Sequence, residues 1–426
     1  MNRSHVDVLV VGAGPAGLAA ATAAADRGRR VLVLDQAPEV GGQIWRHRDP
    51  ATLPESARAA IIRARASGVV FATGATVLDA ASPTELVIAF GPRTDRVRAD
   101  TVILATGAVE RFLPFPGWTL PGVVGVGGLQ ALVKGGLSVR GQRIVVAGTG
   151  PLLYPVAATL AKAGATLLAV LEQRTLGDLV PFARSTLGDL AKVRDAIRYR
   201  AAIGRTPFHH DAWVLAAHGS QRVREVVLRL GSRETTIACD WVATAAGLVP
   251  RTDLARLLGC ALDGEAVQVD AAQRTTVPGV LAVGECTGVK GEAAGMLEGE
   301  IAGAAAAGDD GPARTLARRR AQGIAFGDLL AETFAPRAEL LARATPDVLL
   351  CRCEDVPVGA VEPAWTARQA KLWTRVGMGA CQGAVCGPAC TTMFGWEVPQ
   401  VRAPLGTPTC GAWHAQLTTP TDPPAA

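Results

Sequence analysis

The sequence predicts an α/β protein built from two strand, glycine-turn, helix, strand units followed by a small cysteine-bearing region, and three stretches carry that expectation. Residues 6–35, VDVLVVGAGPAGLAAATAAADRGRRVLVLD, run as an apolar strand, a glycine turn, an alanine-rich helix and a second apolar strand closed by a carboxylate. Residues 143–172, RIVVAGTGPLLYPVAATLAKAGATLLAVLE, repeat that order. Five cysteines gather between Cys351 and Cys390, whereas none precedes Cys239.

In the first unit Gly12 permits a tight bend, Gly14 lets backbone approach a pyrophosphate, and Gly17 lets the helix lie on the strand. The helix N-terminus then faces the phosphates. Asp35 stands 18 residues beyond Gly17, near the ~20-residue offset of the acid that binds a ribose hydroxyl. In the second unit Gly148 and Gly150 hold the first two positions, but Leu153 takes the third, where a side chain forces helix and strand apart or shifts the turn. Glu172 still closes its second strand, as an acidic ribose ligand would. That second site is read as holding an adenine nucleotide or surviving as scaffold.

Composition limits what such units belong to. With 426 residues and 49% hydrophobic content the chain has room for two or three domains and can bury a sizeable core. Residues 8–25 carry no charge, yet Gly12, Gly14, Pro15 and Gly17 interrupt them, and a positive n-region and cleavage pattern are lacking, so a soluble cytoplasmic protein is expected. A net charge of +5 without a basic, aromatic-interleaved stripe excludes a nucleic-acid binder, and Arg318, Arg319 and Arg320 read as a solvated helix face. The uneven cysteines argue against a secreted disulfide framework and for a localised metal or redox module.

Along the chain, residues 56–68 read as helix, and 68–80, 85–90 and 96–107 as short strands. A proline- and glycine-rich crossover at 110–136 leads into the second unit, 176–204 read as extra helix, and AWVLAAHG, REVVLRL and the stretch holding Asp240 and Trp241 read as strands. Cys351 and Cys353 in CRCED, two apart in extended chain, point the same way, so the pair can bind one iron. Cys381 and Cys386 in the glycine-rich GMGACQGAVC could bind a second, although four thiolates would equally hold zinc. Cys239, Cys260, Cys286 and Cys410 are isolated apolar fillers. The tail from Pro399 is read as irregular, with PTDPPAA disordered.

The glycine pair Gly41 and Gly42 followed by Gln43, the TVILATG at 101–107, the turn WVATAAGLVP and the stretch VPGVLAVGECTG resemble the glutathione-reductase-like flavoproteins with two dinucleotide-binding domains. The resemblance implies that the opening motif binds FAD rather than NAD. Its contacts would come from Gly12, Gly14, Pro15, Ala16, Gly17, Asp35 and Gln36, from Gly42, Gln43 and Val77, and from Ala105, Thr106 and Gly107, with Gly284 and Glu285 closing the set. Glu285 stands where the family has an aspartate on the ribityl chain. The dithiol branches of that family need a CxxC or Cx4C beside the flavin, and the first 238 residues hold no cysteine.

KLWTRVGMGACQGAVCG resembles the bacterioferritin-associated ferredoxin-like [2Fe-2S] domain, which implies Cys351, Cys353, Cys381 and Cys386 as ligands. The interval from Cys353 to Cys381 is several residues shorter than the family pattern, and Cys390 offers an alternative to Cys386. Nearly the whole chain is similar to the α subunits of multi-subunit amine and imino-acid dehydrogenases. That group includes the B-type subunit of hydrogen cyanide synthase, the A-type subunit of opine oxidase and the α subunit of D-hydroxyproline dehydrogenase.

That similarity implies a first FAD-binding part at 1–117, a degenerate NAD(P)-binding-like domain at 118–243 and a second FAD-binding part at 244–308. A helical linker at 309–346, a [2Fe-2S] domain at 347–400 and an irregular tail at 401–426 follow. It further implies a flavoprotein β subunit of the amino-acid oxidase type, which oxidises the substrate, with D-hydroxyproline favoured. Compatible additions are a small ferredoxin-like γ subunit, an adenine nucleotide or second flavin where subunits meet, and peripheral attachment to the inner membrane through the complex. The rival readings are a self-sufficient NAD(P)H-dependent reductase and a zinc-holding scaffold.

Overall fold

The computed structural model describes residues 5–397, 401–406, 409 and 411–412. The chain divides into two compact units, one gathering the described residues of Met1–Ala108, Pro250–Gly327 and Gln400–Ala426, the other Val109–Val249 with the described residues of Asp328–Pro399.

In the first unit β1 (His5–Val11) lies parallel between β2 (Val31–Asp35) and the long strand Arg93–Leu104, with Val8 opposite both Val31 and Thr101. Val70–Thr73 extends the sheet beyond β2, and the antiparallel strands Glu85–Phe90 and Ala75–Ser82 extend it on the other side. The last three residues of Arg93–Leu104 pair in parallel with Val280–Ala282, the strand contributed when the chain returns. Residues 8–11 of β1 and 31–34 of β2 read as unbroken apolar runs because both faces of the sheet are covered there. α1 (Pro15–Ala25), Glu55–Ala66 and the return helix Glu292–Ala306 bury Leu18, Ile61 and Ile301 on one face, while Leu9, Leu34, Ile88 and Leu254 pack on the other.

α1 and the return helix touch through backbone. A Cβ on Gly299 would lie 2.2 Å from the Ala16 carbonyl oxygen, and one on Gly303 would lie 2.1 Å from that of Ala20. The stripe Gly295, Gly299 and Gly303 recurs every fourth residue, which keeps it on one helix face.

In the second unit a parallel sheet runs in the order Phe208–His209, Thr166–Glu172, Arg143–Gly148, Trp241–Thr244, Val123–Val124. A separate antiparallel sheet joins Ala212–His218, Glu225–Leu230 and Arg233–Ala238. The sequence pattern does not predict the last of these, because RETTIA alternates between exposed and half-buried positions and sets only Ile237 against the core. The stretch expected as extra helix forms Val180–Leu187 and Leu190–Ile203.

The cysteine region is divided differently from the expected linker and separate domain. Helix Ala317–Thr333 carries the chain from one unit to the other, and Asp328–Pro399 is continuous with the second unit. Leu113, Trp213 and Ala246 share one apolar cluster with Leu340, Leu350, Val356 and Ala389, so the core of this region is continuous with side chains of Val109–Val249. The indole Nε1 of Trp118 donates to the Leu349 carbonyl at 2.6 Å. Buried Arg343 donates to the carbonyls of Val214 (2.5 Å) and Leu340 (3.0 Å) and covers the Phe115 ring, burial holding its guanidinium down to about 10.

The expected irregular tail is partly docked. Leu405 N–H donates to the Leu78 carbonyl at 2.7 Å, and Ala412 is buried against Leu78 and Ala89. Cys410 and PTDPPAA lie outside the described residues. Among the described residues no helix is long and apolar enough to cross a membrane.

The helix pair gives a stability prediction. Gly303→Ala should lower stability by about 1–3 kcal/mol, the usual cost of overpacking, whereas Gly188→Ala, in open space with helical backbone, should leave it unchanged or slightly raised. Chemical denaturation of both variants measures the difference, and equal effects would refute the backbone contact.

Candidate functional site

The first glycine turn is built by exclusion of side chains. A Cβ on Gly12, which has φ of 113°, would lie 2.2 Å from the Ala105 carbonyl oxygen, and one on Gly17 would lie 1.9 Å from that of Gly12. Gly14 differs, because its open face meets only the Gly42 Cα, at 3.9 Å. Gly14 is also the N-cap of α1, with no side-chain cap and no acidic residue in the first turn, and Pro15 opens the helix. An uncapped eleven-residue helix whose N-terminal N–H groups face a bare backbone slot fits a pyrophosphate.

Asp35 bridges the turn, one carboxylate oxygen accepting from Ala13 N–H and the other from Ala37 N–H, both at 2.7 Å. Gln36 follows it, exposed, in the loop. The Gly41–Gly42 loop is fastened by Gly41 N–H donating to the Ala13 carbonyl at 2.8 Å, and exposed Gln43 accepts from Arg46 at 3.1 Å. Val77 is half-buried opposite Ile88 on Ala75–Ser82, the strand at the far edge of the sheet from Val70–Thr73.

The return segment reaches the same turn. A Cβ on Gly284 would lie 2.8 Å from the Ala16 methyl. Thr106 Oγ1 donates to the Arg251 carbonyl at 2.6 Å and Arg251 N–H to that of Gly107 at 2.9 Å, which ties the outward and returning crossovers together. Glu285 sits on a short 3-10 turn, and burial raises its carboxyl, offset in part by Lys290.

Sequence reasoning missed Lys290 and Glu298. Glu298, 2% exposed, accepts from Gly284 N–H and Thr287 Oγ1 at 2.9 Å each and pairs with Lys290 Nζ at 2.7 Å. The pair fixes the turn that carries Glu285. No local signal sets Glu298 apart from Glu292 and Glu300 on the same helix, since only packing shows that it faces inward.

The second glycine turn is shaped differently. The helix begins at Leu153, five residues after Gly148, whereas α1 begins three residues after Gly12. Leu153 is buried at 1% exposure. Glu172, 3% exposed, accepts from Gly150 N–H (2.7 Å), Thr149 Oγ1 (3.0 Å) and Arg174 N–H (3.0 Å), and burial raises its carboxyl. A Cβ on Gly150 would lie 3.5 Å from Phe334 Cγ.

The cysteines meet in pairs across the sequence. The strand Leu349–Cys351 ends in a turn through Asp355, which has φ of 51°, so the expected extended CxC is replaced by a bend with Cys351 buried and Cys353 exposed. All are free thiols, and the Cys353 thiol neighbours that of Cys381 while the Cys386 thiol neighbours those of Cys351 and Cys390. Cys386 and Cys390 lie one helical turn apart on Cys386–Phe394. Burial raises the Cys351 thiol, offset in part by the neighbouring amides of Gly377, Glu354 and Cys353. Burial raises the Cys381 thiol, but the Val385, Gly383 and Ala384 amides and the Cys353 thiol outweigh it and bring it below the usual range.

A side chain on Gly379 would collide with the Cys353 Cβ at 2.2 Å. Among the described residues no three His, Cys, Asp or Glu side chains are set to hold a metal ion as they stand. The donor chemistry, thiols served by amide N–H groups in a glycine-rich loop, fits a thiolate-held centre.

The pyridine nucleotide-disulphide oxidoreductase family model matches residues 6–311. The A-type subunit of opine oxidase from Rhizobium meliloti is 34% identical, over 91% of this chain and 92% of its own. The HcnB subunit of hydrogen cyanide synthase from Pseudomonas aeruginosa is 30% identical, over 90% of this chain and 91% of its own. The alpha subunit of sarcosine oxidase from a Corynebacterium species is 36% identical over 40% of this chain and 20% of its own. Among solved structures, L-proline dehydrogenase from P. horikoshii shares the fold with a TM-score of 0.66 over 96% of this chain and 79% of its own, at 19% identity. Thioredoxin reductase of T. acidophilum shares it with 0.55 over 72% and 98%, at 23% identity. With the glycine turn, the returning strand and these relatives in agreement, the chain belongs to the pyridine nucleotide-disulphide oxidoreductase family and is an oxidoreductase similar along nine-tenths of its length to HcnB and to its opine oxidase counterpart.

Proposed function

We propose that this chain is the electron-transfer subunit of a multi-subunit flavoenzyme that oxidises a secondary amine or imino acid, with D-hydroxyproline the favoured substrate and the C–N bond oxidised on a partner flavoprotein of the amino-acid oxidase type. One observation carries the reading: a glycine turn fit for a dinucleotide and a set of paired thiols occur in one chain whose first 238 residues hold no cysteine. FAD supplies two-electron chemistry and a [2Fe-2S] cluster one-electron transfer.

Gly12, Gly14, Gly17, Asp35, Gly42, Ala105, Thr106, Gly107, Gly284 and Glu285 would hold the FAD. α1 offers its N–H groups to the pyrophosphate, while Glu298 and Lys290 keep the Glu285 turn in place. Cys351, Cys353, Cys381 and Cys386 would hold the cluster, with Cys390 behind Cys386 as reserve ligand. Peripheral attachment to the inner membrane and a small ferredoxin-like γ subunit fit the same assembly. Relatives named as subunits of opine oxidase and hydrogen cyanide synthase support a partner chain.

The rival NAD(P)H-dependent reductase draws support from the family, but the second turn, with Leu153 at its third position, lacks the geometry of the first.

Three measurements test the proposal. Gly14→Val would fill the slot opposite Gly42 and should weaken FAD binding at least about tenfold, roughly 1.4 kcal/mol; full flavin retention would refute the site. Cys353→Ser should abolish the reduced-cluster EPR signal with FAD retained, and one equivalent of zinc in anaerobically prepared protein would replace the redox reading by the scaffold one. The flavin-loaded chain alone should not reduce dye with D-hydroxyproline, and coexpression with its partner should restore turnover. Activity of the lone chain would place the substrate site here.

A further inference from the structure

We propose that segment 334–337 is a resident occupant of the second dinucleotide site, lying where a nucleotide's pyrophosphate and ribose would lie and excluding it. The inference stands on the geometry of the second unit and does not need the electron-transfer reading.

Three elements make a working site of this type: a bare second glycine, free N–H groups at the helix start, and a carboxylate open to ribose hydroxyls. Each is taken up by the chain itself. The open face of Gly150 carries the Phe334 ring, since a Cβ there would meet Phe334 Cγ, Cδ1 and Cδ2 at 3.5, 3.8 and 3.8 Å, and Phe182 holds that ring edge-on with centroids 5.0 Å apart. The N–H groups of Leu153 and Tyr154 turn inward to the carbonyls of Gly150 and Pro151, at 3.2 and 3.3 Å. Glu172 is buried, with both oxygens accepting from its own turn.

The segment is bonded as part of the strand end. Gln173, fully buried, donates through Nε2 to the carbonyls of Ala335 (3.0 Å) and Phe334 (3.5 Å) and accepts Arg337 N–H through Oε1 at 3.0 Å. Arg174 donates to the Ala335 carbonyl at 2.5 Å. Arg337 returns a bond to the Gln173 carbonyl at 3.0 Å, pairs with Asp211 and Glu339, and covers the Trp213 ring at 4.9 Å. Gln173 and Arg174 directly follow the ribose acid, so a nucleotide would need the positions that these bonds fill.

The test is ADP binding by calorimetry to the full-length, flavin-loaded chain, in wild type, Leu153→Gly and Phe334→Ala/Leu153→Gly. ADP carries no nicotinamide, so its binding bears on closure and leaves the electron-transfer reading untouched. Wild type and Leu153→Gly should show no binding up to about 1 mM, and the double variant should bind at least about tenfold more tightly than that limit. Wild-type binding, equal binding by Leu153→Gly and the double variant, or a folded double variant without binding would each overturn the proposal. Hydrogen exchange of wild type supplies a measurement that needs no variant. Peptides across 330–340 should be unchanged by about 5 mM ADP, a concentration that saturates a site of typical weak affinity, and faster exchange there would overturn it.

Discussion

Direct contact of backbone with backbone around α1 is the constraint on which the first unit depends. Carbonyl oxygens of Gly12, Ala16, Ala20 and Ala105 occupy the space where side chains of Gly17, Gly299, Gly303 and Gly12 would begin. Because α1 is pressed onto the sheet on one side and onto the return helix on another, its N-terminus has a fixed direction. The same closeness brings Gly284 to Ala16, so segments more than 260 residues apart in the chain meet at one turn. A helix with ordinary side chains would stand about 8–10 Å from its neighbour and leave no such turn.

The second unit repeats the topology but turns its polar groups on itself. Asp35 bridges two loop amides with its carboxylate half-exposed, whereas Glu172 does the corresponding job buried and fully bonded. Two copies of one supersecondary pattern thus diverge through a single position: Leu153 is too large to lie where Gly17 lies, the helix starts two residues later relative to its turn, and the N–H groups rotate inward.

Much of this was legible in the sequence because the signals are local. Strand, turn and helix at 6–35 are read from glycine spacing and apolar runs, and the returning strand from its second glycine turn. Other features were not legible because they depend on distant packing. The Lys290–Glu298 pair is visible only once the return helix is seen to face Gly284, and the strand Arg233–Ala238 forms by pairing rather than by pattern. The bend at Cys351 defeats the extended reading of CRCED, since spacing alone cannot report the left-handed backbone at Asp355. Phe334 carries no motif, and only its packing against Gly150 and its carbonyl bond to Gln173 show that it belongs to the second turn.

The apolar cluster joining Leu113 and Trp213 to Leu350 and Ala389 bears on how such a chain can be inherited. A ferredoxin-like module with its own core can be gained, lost or exchanged between genes as a cassette. Here removal of the cysteine region would bare Trp213 and Leu113 and leave Trp118 Nε1 without its acceptor at Leu349. The two halves of this unit must therefore change together, and recombination between relatives that exchanges Val109–Val249 or Asp328–Pro399 alone will be tolerated only where both sides of that shared core come from one parent.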